Sequence, residues 1–184
     1  MQKAWLVVIV MTMGCAGSSG PVVAAGPRDV TTSVTTSSEV GTVDLRTTRS
    51  DPTGSFSIAA PADRVWRALS TVYTDLKLSA TTLDTQSRRI GVENARLRRQ
   101  LGGTRMSKYI SCGERLGNPV ADTDDIVLTL YTQVVPAGGE ASTLRTLVEA
   151  TARQSGSGGT LINCATTGEL EQRIVSMVRA QIAS

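Results

Sequence analysis

Ser55-Phe56-Ser57-Ile58-Ala59-Ala60-Pro61-Ala62-Asp63-Arg64-Val65-Trp66-Arg67-Ala68-Leu69 changes its period in the middle, and that change decides the fold class. Residues 55–59 alternate polar and apolar side chains, as a half-buried strand does. Pro61 suits the first position of a helix, where its missing N–H loses no partner, and Asp63 complements the helix dipole. Beyond it, Ala62, Val65, Trp66, Leu69, Tyr73 and Leu76 recur at three- and four-residue spacing. They predict one buried helical stripe with Trp66 as a core anchor. A strand therefore passes straight into a helix.

Downstream the period returns to two. Residues 78–83 and 89–97 read as strands around Asp84-Thr85-Gln86-Ser87. Residues 126–135 are apolar and β-branched, the clearest strand in the chain. Pro136-Ala137-Gly138-Gly139 turns it into another long strand, with Leu144, Thr146, Val148, Ala150 and Ala152 on one face and Arg145, Glu149 and Arg153 on the other. Residues 155–159 form a loop, and a short strand follows at 161–164. Thr166 and Glu169 have capping-box spacing, Glu169 and Glu171 fill a first helical turn, and Leu170, Ile174, Val178 and Ile182 predict the stripe of a last helix. Upstream, residues 43–47 alternate like an edge strand before the turn-rich Ser50-Asp51-Pro52-Thr53-Gly54. The expected class is α+β.

The junction from Ile58 to Leu69 resembles the opening of helix-grip proteins of the START/polyketide-cyclase superfamily. The element order over residues 54–184 is also similar to the helix-grip domains of component C, a lipoprotein, of the outer-membrane β-barrel assembly machinery. The resemblance implies a curved antiparallel sheet packed around a long C-terminal helix, with a short helix after the first core strand. It also implies an apolar cavity in many members. It assigns no ligand or catalytic residue, since a shared fold does not transmit activity.

The other end of the chain speaks of location. Lys3 precedes the apolar run Trp5-Leu6-Val7-Val8-Ile9-Val10-Met11, and Gly14 stands before Cys15. The arrangement resembles a bacterial lipoprotein signal, in which the cysteine is acylated and becomes the first mature residue. Thr12 stands where that pattern expects an aliphatic residue. An ordinary cleaved signal ending near Val23-Ala24-Ala25 is the competing reading and would give a soluble periplasmic or secreted protein. Gly14, Gly17, Gly20 and Pro21 leave far fewer than the ~20 consecutive apolar residues that a membrane helix needs. Ala16 after the cysteine, in place of Asp, is similar to the outer-membrane sorting pattern of bacteria with two membranes. Residues 16–39 are rich in Ser, Thr, Gly and Pro and lack periodicity, as a flexible tether does. The chain is thus expected to comprise a signal peptide (1–14), a tether beginning at Cys15 (15–39) and a helix-grip domain (40–184).

Composition excludes several function classes. The formal charge is +3, with 19 basic and 16 acidic residues, and loss of Lys3 with the signal lowers it to +2. With one Phe and three Tyr, stacking platforms for nucleic acid are not expected. There is no His, which removes the commonest general base, the Ser-His-Asp triad and histidine metal sites. With Cys15 acylated, Cys112 and Cys164 remain; an even pair in an oxidising compartment suggests a disulfide, against two separate buried thiols.

The remaining candidates are clusters. Arg88, Arg89, Arg96, Arg98, Arg99, Arg105, Lys108 and Arg115, opposed by Glu93 and Glu114, suit either an anionic partner or a solvated strand face. Strand alternation would separate Arg99 from Arg96 and Arg98. Asp122, Asp124 and Asp125 read as a polar turn, since calcium needs more oxygen ligands. Met106, Tyr109 and Ile110 read as core packing at the open end of the sheet. Gly102-Gly103 lacks the following Lys-Ser/Thr of a phosphate loop. No cofactor, metal or catalytic residue is expected. The expectation is an outer-membrane lipoprotein whose periplasmic domain binds an envelope protein; the alternative is a lipid or other hydrophobic small molecule in the sheet–helix groove.

Overall fold

The two long alternating segments of the sequence build the centre of the molecule. The computed structural model of the chain describes residues 29–38, 41–50, 53–153 and 161–184. In chain order its elements are β1 (Asp29–Ser38), β2 (Gly41–Ser50), β3 (Thr53–Ile58), α1 (Ala62–Asp75), β4 (Thr82–Asp84) and β5 (Arg89–Arg98). Next come β6 (Gln100–Leu101), β7 (Thr104–Arg105), a 3-10 turn at Met106–Lys108, β8 (Ile110–Ser111), β9 (Glu114–Arg115), β10 (Asn118–Pro119) and α2 (Val120–Thr123). β11 (Asp125–Pro136), β12 (Ser142–Arg153), β13 (Ile162–Thr166) and α3 (Glu169–Ala183) complete the chain.

The protein is α+β, with a mostly antiparallel sheet and a C-terminal helix. The main sheet runs β4-β5-β11-β12-β13-β8, and β3 also pairs with β12. β12 offers one edge to β11 along its whole length and divides the other. β3 takes Ser142 to Leu147, and β13 takes Ala150 to Ala152 before leaving to pair with β8.

Only one face of this sheet is dry. Ile126, Leu128, Leu130, Thr132 and Val134 of β11 are buried on it, as are Leu144, Thr146, Val148, Ala150 and Ala152 of β12. Arg145, Glu149 and Arg153 are exposed, as alternation predicts. α1 and α3 lie against each other; α1 touches β11, and α3 touches β12 and β3. The contact stripes are Val65, Ala68, Leu69, Val72 and Tyr73 on α1, and Leu170, Ile174, Val175 and Val178 on α3. Trp66 is half-buried on the flank of its stripe, and Val72 takes the central place. Tyr73 Oη shares a 3.0 Å hydrogen bond with Thr132 Oγ1, and Ser142 Oγ donates to the Ala60 carbonyl at 2.9 Å. These bonds satisfy polar groups that α1 and β12 bring into the core.

Three local expectations change. Residues 78–83 do not form one strand: Leu78 closes the end of α1, and β4 begins at Thr82. Lys77 has φ +58, its N–H meets the Thr74 carbonyl, and the Leu78 N–H meets the Tyr73 carbonyl. Those bonds make a Schellman motif, with a Lys in the place usually taken by Gly. Thr166 and Glu169 form no capping box, because Gly168 with φ +83 is the N-cap of α3. The Thr166 hydroxyl turns instead to Glu171 Oε1, at 2.8 Å. Finally, residues 29–38 of the expected tether pair with β2, which contains the expected edge strand at 43–47. Cys15, the signal at 1–14, the alternative cut after Ala25 and the loop at 155–159 lie outside the described residues. No described helix is long and apolar enough to cross a membrane.

Candidate functional site

Most of the candidate residues fall in the connection between β5 and β11, residues 99–124. It leaves the sheet at Arg99, whose φ of +63 ends strand alternation. β6 and β7 then form a small hairpin over Gly102-Gly103. Met106, Tyr109 and Ile110 follow and are buried, at 0%, 1% and 1% exposure, which matches the packing role expected of them. Arg173 of α3 holds this segment down. Its guanidinium donates to Thr104 Oγ1 at 2.6 Å, to the Gly102 carbonyl at 2.9 Å and to Tyr109 Oη.

The next stretch is braced covalently. Cys112 and Cys164 form a disulfide with their Cα atoms 4.3 Å apart. The bond ties the end of β8 to β13. From Gly113 the chain makes the β9–β10 hairpin, whose two turn residues, Leu116 and Gly117, have φ of +50 and +74. Two positive φ values at a two-residue turn are the type I′ pattern, which favours Asn-Gly or Gly-Gly. Leu116 stands there instead, 96% exposed. Left-handed φ costs an ordinary L-residue roughly 1–2 kcal/mol, so this side chain is displayed at some expense.

The hairpin is fixed at its base. Arg115 Nη1 donates to both carboxylate oxygens of Asp124, at 2.9 and 3.1 Å, and Asp124 is only 3% exposed. The Val120 N–H donates to the Gly113 carbonyl at 3.0 Å. Asp122 accepts from the Ser107 amide and hydroxyl at 2.9 and 2.7 Å, joining α2 to the 3-10 turn. Asp125 pairs with Arg98 across β11 and β5. The three carboxylates thus face three different partners. Among the described residues no group of three or more His, Cys, Asp or Glu side chains is placed to hold a metal ion.

The basic cluster divides as well. Arg88 pairs with Asp63 of α1, Arg89 lies 4.0 Å over the Tyr131 ring, and Arg98 and Arg115 hold Asp125 and Asp124. Glu93 accepts from Tyr131 Oη and from Thr82 Oγ1. Arg96, Arg99, Arg105 and Lys108 are exposed and make no ion pair with a described residue. The last three fall within the 99–124 connection, which also carries Leu116.

Two polar features escape sequence reading. Glu171 is fully buried near Gly54; burial pushes its carboxyl pKa up, against the lowering pull of its hydrogen bonds. Among the described residues its Oε2 meets no hydrogen-bond partner, and neither does Thr146 Oγ1 on β12, directly opposite Gly54 in the strand register. The Thr166-Glu171 spacing could have suggested the first contact. Leu116 had one usable signal, an isolated large apolar residue between Arg115 and Gly117 in a turn-rich stretch.

No protein-family model matches the chain, and no curated protein matches it in sequence.

Proposed function

We propose that the chain is an exported envelope lipoprotein, held at the outer membrane by acyl chains on Cys15, whose periplasmic domain binds a protein partner and catalyses no reaction. The observation that carries this reading is the Cys112–Cys164 disulfide. Such bonds persist in oxidising compartments. The bond also accounts for two of the three cysteines and leaves Cys15 at the position where a lipoprotein signal would acylate it. Support for a non-catalytic role comes from the carboxylates: Asp122, Asp124 and Asp125 are each engaged by a neighbouring side chain.

For the fold we propose a helix-grip variant. Its support is the strand-to-helix junction at Ile58 to Ala62, the antiparallel sheet and the terminal helix across it. Binding of a hydrophobic molecule in the sheet–helix groove has less behind it. Leu69, Val72, Leu144, Ile174 and Val178, which line that interface, are all 0% exposed and belong to one core cluster.

Intact mass of the mature protein from its native membrane tests the proposal. Diacyl or triacyl mass on an N-terminal Cys15, with a two-hydrogen deficit, is expected. A mature chain beginning beyond Cys15 would overturn the lipid anchor, and two free thiols would remove the argument for export. A pull-down from solubilised envelopes should find a stoichiometric protein partner; recovering the chain alone would refute the binding role.

A further inference from the structure

We propose that Glu171 is a proton-operated latch for the first turn of α3: as a neutral acid it seats that turn against β3 and β12, and as a carboxylate it lets the turn come away from the sheet. The latch does not depend on the lipoprotein reading. It stands on a polar cluster within an apolar seam. Glu171 is 0% exposed, and its stem packs so closely on Gly54 of β3 that a β-carbon there would stand 3.2 Å from its Cβ and Cγ. Thr146, also 0% exposed, is the cross-strand partner of Gly54 on the same dry face. Such partners hold their β-carbon positions about 5 Å apart, so Thr146 stands beside the place that Glu171 fills. Thr166 Oγ1 donates to Glu171 Oε1 at 2.8 Å. That leaves Glu171 Oε2 and Thr146 Oγ1 buried without a partner among the described residues.

Among the described residues no charged group faces this cluster to balance an ionised Glu171. β3 presents Gly54 and Phe56, and β12 presents Leu144, Thr146 and Val148, with Arg145 and Glu149 exposed on the opposite face. β13 contributes Thr166. The titratable group that α1 brings into the core is Tyr73, which bonds Thr132 and whose pKa burial pushes up, so it stays neutral. On α3 itself, Glu169 is exposed and Arg173 is bound to Thr104, Gly102 and Tyr109. Two effects favour the carboxylate: the Thr166 hydroxyl and the positive end of α3, in whose first turn Glu171 stands. Burial opposes both and prevails, pushing the Glu171 pKa up. A neutral acid also has an O–H to offer Thr146 Oγ1, whereas a carboxylate has acceptors alone. The latch is therefore closed at low pH and opens as pH rises through the raised pKa. Its position gives the opening reach. Thr166 accepts from the Gly168 N–H, while the Thr167 N–H and hydroxyl hold the Tyr109 and Lys108 carbonyls. Release of this turn thus loosens the 99–124 connection as well as α3.

Two measurements test the latch. Carbon-13 NMR of the Glu171 carboxyl should give a titration midpoint above the ordinary value for Glu. Thr146→Val keeps the shape but removes the acceptor of the neutral form, and should lower that midpoint. A midpoint at or below the ordinary value, or one that Thr146→Val leaves in place or raises, overturns the proposal. The second measurement is amide exchange of the parent against Glu171→Gln at the same pH, so that intrinsic rates cancel. The amides of Thr167, Gly168 and Gln172, which are bonded within this joint, report the opening. Near pH 4 the two proteins should exchange alike there, and near pH 8 the parent should be about tenfold faster or more. In low urea that exchange should stay flat, since a local opening exposes little surface, while exchange in β11 climbs with the slope of global unfolding. No difference at the three amides, or a difference that climbs with the slope of β11, overturns the latch, because the charge then acts on complete unfolding alone.

Discussion

The ring of Tyr131 lies so close over Gly91 that a β-carbon at position 91 would stand 2.2 Å from its Cδ1 atom. The two residues are direct partners in the β5–β11 register, on the face turned away from the helices. Tyr131 covers bare backbone there, stacks on Arg89 and donates to Glu93. Gly91→Ala must push the ring aside and break both contacts. We expect a loss of roughly 1–3 kcal/mol, the usual range for overpacking, read as a lower urea midpoint with unchanged slope. A variant as stable as the parent would mean that the ring moves freely and the contact does not order this face.

Lys77 holds the left-handed position that ends α1, with φ +58. Both bonds of the Schellman motif are present, and Leu78 is buried behind it. Gly reaches this conformation without the steric cost that a Cβ imposes. Lys77→Gly should therefore stabilise the protein by about 0.5–1 kcal/mol, despite the greater freedom it gives the unfolded chain. Thermal unfolding checks it; a fall in melting temperature would refute the strain argument.

Glu171 makes stability depend on pH in a direction opposite to that of most carboxylates. Burial raises its folded pKa above the ordinary value, so the native state binds more protons than the unfolded state between those two values. The neutral form's contribution is fully present below the unfolded pKa and is lost as pH rises through the window up to the folded pKa. Glu171→Gln, which keeps the shape without the charge, should gain in melting temperature relative to the parent as pH rises from about 4 to 7. A difference constant across that range would show that the carboxyl titrates normally.

The sequence made the centre of the sheet legible because β11 and β12 carry their burial pattern in strict alternation, and alternation is local. It made α1 legible for the same reason, although Trp66 and Val72 exchange places. A stripe of 3.6 period has a centre and flanks, and residue size does not say which is which. What stayed hidden depends on partners far apart in the chain. The division of one β12 edge between β3 and β13 needs residues 53–58 and 162–164 placed end to end. The Thr166 hydroxyl misses its expected cap because α3 takes Gly168, two residues further on, as its N-cap, and the hydroxyl donates to the buried Glu171. Likewise, the run Asp122, Asp124 and Asp125 looks like one acidic group on paper. It divides because α2 ends at Thr123 and β11 begins at Asp125, turning each carboxylate toward a different partner.

The disulfide offers the last prediction. Cys112 and Cys164 are 52 residues apart, and closing a loop of that size removes unfolded-chain entropy equivalent to about 4 kcal/mol. The bond also fastens β13 to the base of the hairpin that carries Leu116. Cys112→Ser with Cys164→Ser should lower the stability of the whole domain by several kcal/mol, and a reductant should do the same to the parent while leaving the double variant unmoved. Local loosening would follow from the topology: β8 pairs with β13 through two residue pairs, Ser111 with Ala165 and Ile110 with Thr166. Amide exchange should therefore quicken most in β8 and β9, and much less in β11 and β12. Uniform acceleration across all strands would show that the bond acts through the unfolded chain alone and does not brace the hairpin.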